Sequence, residues 1–457
     1  MGEVENLSND RWIMVLIFLV AGAANALFIL SWSPVIDMAS SYFDQDTTAI
    51  NLFAVMFQIM FVPGTLLLWS QQENNDMRGL VFQGALLTMV GSMIRYLGVI
   101  PFIIVSPLYR YIVVILGTAM VALAQPYYLT LPAQLAGLWF GLSERDVATT
   151  ICCLANPLGS AIGSLIPSMV LTQENDESDV KGVDILLLIQ LAIATAAFTL
   201  VALCFKAKPA QPPTRSAEKV AAAANAASHN ISVDYTSAYY DILSLIDNTP
   251  YVCLFIAFAI GLAHLNALAA LLGQLPGDYS SVQAGGLGAI LIMCGFTGAF
   301  VTGFILDATK SYRTFLQIVY TFILGAWIFF LYGASSSFGL AAAGAGVLGW
   351  MMLSMVPAAL ICAVEAVYPI SANLAVGALY CGANLLAIPF TFLGALLLST
   401  PSGGASAPFY PYGIWALVTT SIGVIAVFFF KGTYKRLEDD QTEALLVSNS
   451  SSKTTEI

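Results

Sequence analysis

The chain has 457 residues, 58% of them hydrophobic and only 9% charged, whereas an ordinary soluble domain carries about 25% charged and 45–50% apolar residues. Sixteen Lys and Arg with 27 Asp and Glu cannot clothe a chain of this size in water. Soluble globular, collagen-like, disordered and disulfide-scaffold classes are thereby excluded, and a polytopic membrane protein remains. The net charge of −11 gives no electrostatic basis for binding nucleic acid.

A bilayer core requires about 20 mainly apolar residues per helix, and twelve such stretches follow in chain order: 12–38, 50–69, 80–100, 111–133, 146–172, 184–205, 250–275, 284–306, 314–333, 337–362, 371–398 and 411–430. They predict an all-α membrane protein of two six-helix, pseudo-symmetric bundles. A terminal segment 1–11 precedes a bundle over 12–205. A Pro/Ala/Ser-rich linker at 206–249, ending in a short amphipathic helix near Tyr239–Ile246, leads to a second bundle over 250–430 and a tail at 431–457. With the N-terminus inside, 13 of the 16 basic residues are cytoplasmic, Arg110 and Lys181 lie outside, and Arg95 is intramembrane. By the positive-inside rule both termini are cytoplasmic. The sequons at Asn6, Asn230 and Asn449 then stay unglycosylated, and the seven cysteines, all in apolar stretches, read as small hydrophobes.

The halves echo each other. Leu131-Pro132-Ala133-Gln134-Leu135 corresponds to Val356-Pro357-Ala358-Ala359-Leu360, and Asn156-Pro157-Leu158 to Asn384-Leu385-Leu386, at offsets of 225 and 228 residues. Two parallel repeats with a site at the midplane between them fit this pattern.

Polar groups within spans are costly and mark the bundle interior or a water-filled path. Asp37 is a candidate for attracting a cation or carrying a coupling proton, or for a contact at the outer gate. Arg95 is a candidate for snorkelling outward, for pairing with Asp37 or for pairing with a carboxylate. His264, the one histidine in a span, suits proton coupling, ligation of a haem iron or a structural hydrogen bond. The amides Asn25, Gln125, Asn156, Asn266 and Asn384 can hydrogen-bond a polar solute or join helices. No catalytic triad, metal-ligand set, phosphate loop or cofactor fingerprint is present, so the expectation is no enzyme, no cofactor and no metal.

The run Ala124-Gln125-Pro126, Pro132 to Phe140 (PAQLAGLWF), Glu144-Arg145, Ala148-Thr149 and Asn156-Pro157-Leu158-Gly159 resembles the feline leukaemia virus subgroup C receptor-related family, solute carrier family 49, within the major facilitator superfamily. Asn25-Ala26, Pro34-Val35 and Asp37, Gly303 with Asp307 to Lys310, Glu365 with Tyr368-Pro369, and Tyr434 to Leu437 support the resemblance. The pattern is most similar to the branch called major facilitator superfamily domain-containing. The resemblance implies alternating access and solutes of the choline, ethanolamine or haem/porphyrin kind. It also implies a cation site with a span-one tryptophan, a span-seven tyrosine and two glutamines. Those positions here hold Ile29, Asn266, Pro157 and Asn384, with Trp32 one helical turn beyond Ile29. An aromatic cage, which a quaternary ammonium favours, is largely lost.

The superfamily also implies cytoplasmic loops that fasten the two halves. Asp307, Lys310 and Arg313 match the second copy of that motif; Arg78 with Asp76 is a degraded first copy, and Glu144, Arg145 and Glu365 lie on neighbouring loops. The expected protein is a monomeric secondary transporter of a small organic solute in the lipid bilayer, more in keeping with the plasma membrane than with an endomembrane. A proton-coupled metabolite transporter and a non-transporting receptor or scaffold are the alternatives.

Overall fold

The computed structural model describes residues 10–72, 75–100, 106–141, 144–173, 180–209, 243–272, 281–368, 370–399, 411–432 and 434. The three sequons, most of the linker and the tail beyond 434 lie outside these residues.

The first apolar stretch is not one helix. α1 (Arg11–Ala26) stops after 16 residues, a 3₁₀ turn covers Ser33–Val35, and α2 (Ile36–Phe43) completes the stretch. Pro34 cannot donate to the Leu30 carbonyl, and the Ser31 hydroxyl donates to Phe28 O, 3.1 Å away, offering the chain a non-helical alternative. α3 (Thr47–Gln72) and α4 (Met77–Leu97) are continuous. The fourth stretch, expected as one helix, is broken into α5 (Pro107–Leu123), α6 (Gln125–Thr130) and α7 (Pro132–Trp139). The fifth is α8 (Arg145–Cys153) followed by α9 (Ala155–Val170). Pro126, Pro132 and Pro157 each lack the N–H that would continue the ladder at these breaks. Hydropathy registers none of this. A two-residue antiparallel ladder, Thr172–Gln173 with Val180–Lys181, leads into α10 (Val183–Cys204).

After a helical turn at 243–247, the second half comprises α11 (Thr249–Leu271), α12 (Ser281–Thr309), α13 (Tyr312–Ser336), α14 (Phe338–Val367), α15 (Ala372–Ser399) and α16 (Pro411–Phe429). Among the described residues, eleven helical stretches, counting α5 with α6 and α8 with α9 as one each, are long and apolar enough to cross a membrane; with the broken first stretch they make the twelve crossings of two six-helix bundles. Within the first half α4 packs on α5 and α10, and α1 on α9. Within the second, α12 and α13 pack on α14, and α11 on α15.

The larger of two apolar clusters in the second half continues into the first through Phe61, Leu129, Ala133 and Leu154, so the halves share a packed seam. Contacts also fix which residues lie at one end of the molecule. Arg11 pairs with Glu144, Lys206 with Asp10, Arg145 with Glu365 and Lys310 with Asp146. The Arg313 backbone N–H donates to the Tyr434 hydroxyl. We call this the basic end.

Two close helix approaches depend on glycine. A Cβ at Gly159 would lie 2.2 Å from Ala23 O, and one at Gly163 2.0 Å from Leu27 O, so one face of α9 rests directly on the α1 backbone. Because the obstacle is backbone, no rotamer change relieves it. Gly163→Val is expected to cost about 3 kcal/mol or to prevent folding. Gly325→Ala, with nothing within 4 Å of the added carbon, is expected to be neutral or to gain about 0.5–1 kcal/mol in helix propensity. Melting of the purified variants in detergent checks both; equal melting temperatures would sink the packing argument.

Candidate functional site

At the basic end α8 opens with N–H groups that its own helix cannot satisfy. The carboxylate of Asp307, near the end of α12, accepts from two of them, the Asp146 N–H at 3.2 Å and the Val147 N–H at 2.7 Å. The positive end of a first-half helix is thus capped by an acid from the second half. α12 then ends at Lys310, in the left-handed region (φ 48°), with its N–H on Leu306 O at 2.9 Å. That reversal brings its ammonium to Asp307 at 2.7 Å and Asp146 at 2.8 Å. The Tyr312 hydroxyl donates to Asp146 at 2.9 Å. Beside this group Arg145 pairs with Glu365 of α14 at 3.1 Å, with side chains 6% and 2% exposed. Gly303 permits the approach, since a Cβ there would meet Thr150 Oγ1 at 2.9 Å.

Of the expected gating residues, Arg145, Asp307, Lys310 and Glu365 are brought together across the seam. Glu144 and Arg78 are not. Glu144 is held by Arg11 of its own half at 3.0 Å, and Arg78 donates to Ala202 O at the end of α10. Asp76 accepts from Gly79 N as the cap of its own helix α4. Two members were missed, Asp146 and Tyr312. Asp146 carried a readable signal, an acid in the first turn of a span-opening helix; Tyr312 carried none. The other seam, where α3 meets α15, is largely apolar. The Trp69 indole donates to Asn373 O at 3.4 Å, Gly377 lies against Trp69 and Thr65, and Phe61 faces Tyr380.

The expected solute-binding residues do not form one constellation. Asn25 is buried and joins three helices of the first half, donating to Thr88 Oγ1 at 3.0 Å and Val121 O at 2.9 Å. Asn384 donates to Tyr380 O in its own helix. His264 is wholly buried among Trp327, Phe390 and Trp415, with ring centroids 4.9–5.5 Å away, and Nε2 is 2.6 Å from Thr419 Oγ1. That hydroxyl also lies 2.7 Å from Trp415 O. Trp32 is packed between Phe43 and Phe53. Gln125 is buried with Oε1 unpartnered, and Asn156 and Asn266 are half-buried.

Arg95 neither snorkels nor pairs with Asp37. It is wholly buried, and Asp37 is exposed on α2. Among the described residues, no group of three or more His, Cys, Asp and Glu is placed to hold a metal ion. A groove of about 650 Å³ along Leu188, Thr195 and Leu203 lies on the open outer face of α10.

Removing Arg145 would strand Glu365 in a nearly dry seam, a loss of about 3–5 kcal/mol for the closed end. Arg145→Ala is therefore expected to lower the melting temperature and to expose buried Cys362 to thiol reagents, with the double variant Arg145→Ala/Glu365→Ala affected less. Site-resolved labelling by mass spectrometry reads this; unchanged labelling and melting would remove the pair as a fastener.

No family model matches the chain. It is 26% identical over 395 residues to the choline/ethanolamine transporter flvcr2a of Danio rerio, covering 84% of this chain and 80% of that one. It is 28% identical over 448 residues to solute carrier family 49 member A3 of Xenopus tropicalis (93% and 88%), and 24% identical over 444 residues to human choline/ethanolamine transporter FLVCR2 (95% and 80%). Among solved structures, the major facilitator transporter FucP in the outward conformation aligns with TM-score 0.66 at 12% identity, over 93% of this chain and 99% of that one. A double-Trp variant of XylE also aligns at 0.66, with 14% identity and 93% and 97% coverage. The chain is thus a relative of the solute carrier family 49 proteins, and its fold is that of the major facilitator superfamily.

Proposed function

We propose that this chain is a secondary transporter that moves a small polar organic cation by alternating access, with the seam at the basic end as its inner gate. The observation that carries the reading is the fastening of α8 to α12 and α14. It is built from reversible polar contacts between two bundles that are otherwise packed through apolar surfaces. Such a joint closes one end of the molecule and releases without unfolding either half. Arg145, Asp146, Asp307, Lys310, Tyr312 and Glu365 act as the gate. Gln125, Asn156 and Asn266 are offered as solute contacts, since each has amide capacity left over or exposed.

The chain acts as a carrier and not as an enzyme, a reading supported by relatives named as transporters. Bundles over 12–205 and 250–430, flanked by a cytoplasmic linker and tails, complete the reading, as does residence of a monomer in the plasma membrane. The clustering of basic residues at one end supports the orientation.

Several relatives are named choline/ethanolamine transporters. Between those two solutes the residues favour ethanolamine. Its ammonium has N–H donors that amide oxygens accept, whereas a quaternary ammonium needs aromatic faces, and Ile29 and Asn266 stand where the resemblance places a tryptophan and a tyrosine. Flux of radiolabelled ethanolamine, choline and a porphyrin into proteoliposomes tests the reading. The expected order is ethanolamine above choline, with Asn266→Ala lowering ethanolamine flux about tenfold, one lost hydrogen bond to a charged group. Flux of none of the three would overturn it.

A further inference from the structure

Tyr434 opens the short run, Tyr434 to Leu437, that follows the last crossing. The chain reaches it by a bend. After α16 the Phe430 N–H is bonded back to Ala426 O at 3.1 Å, and the residue is 1% exposed. At Gly432 the backbone passes so close to that ring that a Cβ would lie 2.5 Å from Phe430 Cζ. Two residues later the Tyr434 side chain stands against the start of α13.

α13 needs a partner there. The first N–H groups of a helix have no acceptor within it, and the N-cap residue, Ser311, makes no side-chain bond to them. Its hydroxyl donates to Thr309 O at 3.2 Å instead. The Tyr434 hydroxyl takes that place, accepting from the Arg313 N–H at 2.8 Å, a cap supplied from 121 residues further along the chain. Its ring also meets that of Tyr312, with centroids 5.2 Å apart and planes at 88°, the edge-to-face arrangement that aromatic pairs favour.

Tyr312 is the first residue of α13 and 0% exposed, and its hydroxyl crosses the seam to Asp146 at 2.9 Å. Tyr434 thus holds it twice, by its ring and by the backbone of the residue beside it. A hydrogen bond weakens steeply once its donor is displaced or misaligned, so a hold on Tyr312 is a hold on the bond across the seam.

Taking the α8 seam as the inner gate proposed above, we infer that Tyr434 is a positioning residue of that gate, acting through Tyr312. By capping α13 and bracing the Tyr312 ring it places the hydroxyl that holds Asp146 of the other half. The first residue described beyond the last crossing is thereby a working part of the closed end.

The test is a double-variant cycle on the full-length chain in nanodiscs. The readout is the rate at which a thiol reagent labels Cys362, which is buried one turn from Glu365, with exposed Cys204 as the reference. Tyr434→Phe keeps the ring and deletes the cap; Tyr312→Phe deletes the bond across the seam. Each is expected to raise Cys362 labelling about fivefold, one lost hydrogen bond, and the double variant about as much as either alone. A residue that only stabilises the fold would speed labelling as much in the Tyr312→Phe background as in the native chain. An unchanged rate in Tyr434→Phe, or additive effects in the double variant, would overturn the proposal. Arg145→Ala, measured alongside, separates the two readings. Faster labelling there with none in Tyr434→Phe would keep the gate and remove Tyr434 from it, and no change in either would remove the gate itself.

Discussion

The closed end of the molecule depends on one electrostatic arrangement, the seating of Asp307 on the first turn of α8. Three carboxylates (Asp146, Asp307 and Glu365) meet two cations (Arg145 and Lys310) in this seam. The surplus negative charge sits where the unsatisfied N–H groups of α8 provide about half a positive charge. Everything near it serves that placement. Gly303 lowers α12 onto Thr150, and the left-handed turn at Lys310 swings its ammonium back between Asp146 and Asp307. A non-glycine residue in that conformation costs about 1 kcal/mol, and the two charge-assisted contacts offset it. Glycine would relax the backbone and lose the clamp.

A two-fold repeat would suggest the same device on the opposite seam, and it is absent there among the described residues. Asp76 is occupied with its own helix N-terminus and Arg78 with the end of α10, leaving Trp69, Thr65, Phe61 and Tyr380 to meet across α3 and α15. Apolar surfaces slide with little penalty, because partial separation exposes no unpaired charge. A buried ion pair resists partial separation and then yields once water reaches it. In the proposed transport cycle the α8 seam is the switch-like fastener and the α3 seam the bearing, an asymmetry that composition alone would never suggest.

Twelve crossings were legible because hydrocarbon demands long apolar runs and hydropathy reports them directly. The interruptions were not, since a proline beside a serine, as at Ser33-Pro34, barely lowers the average hydropathy of the stretch around it. The charged half of the seam was legible residue by residue: Arg145, Asp307, Lys310 and Glu365 each stood out as ions beside a span. Their pairing was not. Glu144 and Asp146 flank Arg145 equally in sequence, yet helix geometry turns one toward Arg11 and the other toward Lys310 and Tyr312. Asn25 shows the opposite failure, since a buried amide has the same sequence signature whether it awaits a solute or bridges Thr88 and Val121.

The break in the first span gathers these threads. α9 presents Gly159 and Gly163, one turn apart, to the carbonyls of Ala23 and Leu27. This contact allows close Cα–H···O approach and anchors α1 up to the residue where its helix stops. Beyond Leu27 the chain is released from the regular ladder, and the guanidinium of Arg95 lies against the released segment. A charge placed there is stabilised only by what that segment and its surroundings supply, so the conformation of residues 27–33 and the placement of the guanidinium are bound together. Loosening the segment would let water reach Arg95. Through α9, which shares a crossing with α8, the same stretch is joined mechanically to the capped helix at the basic end.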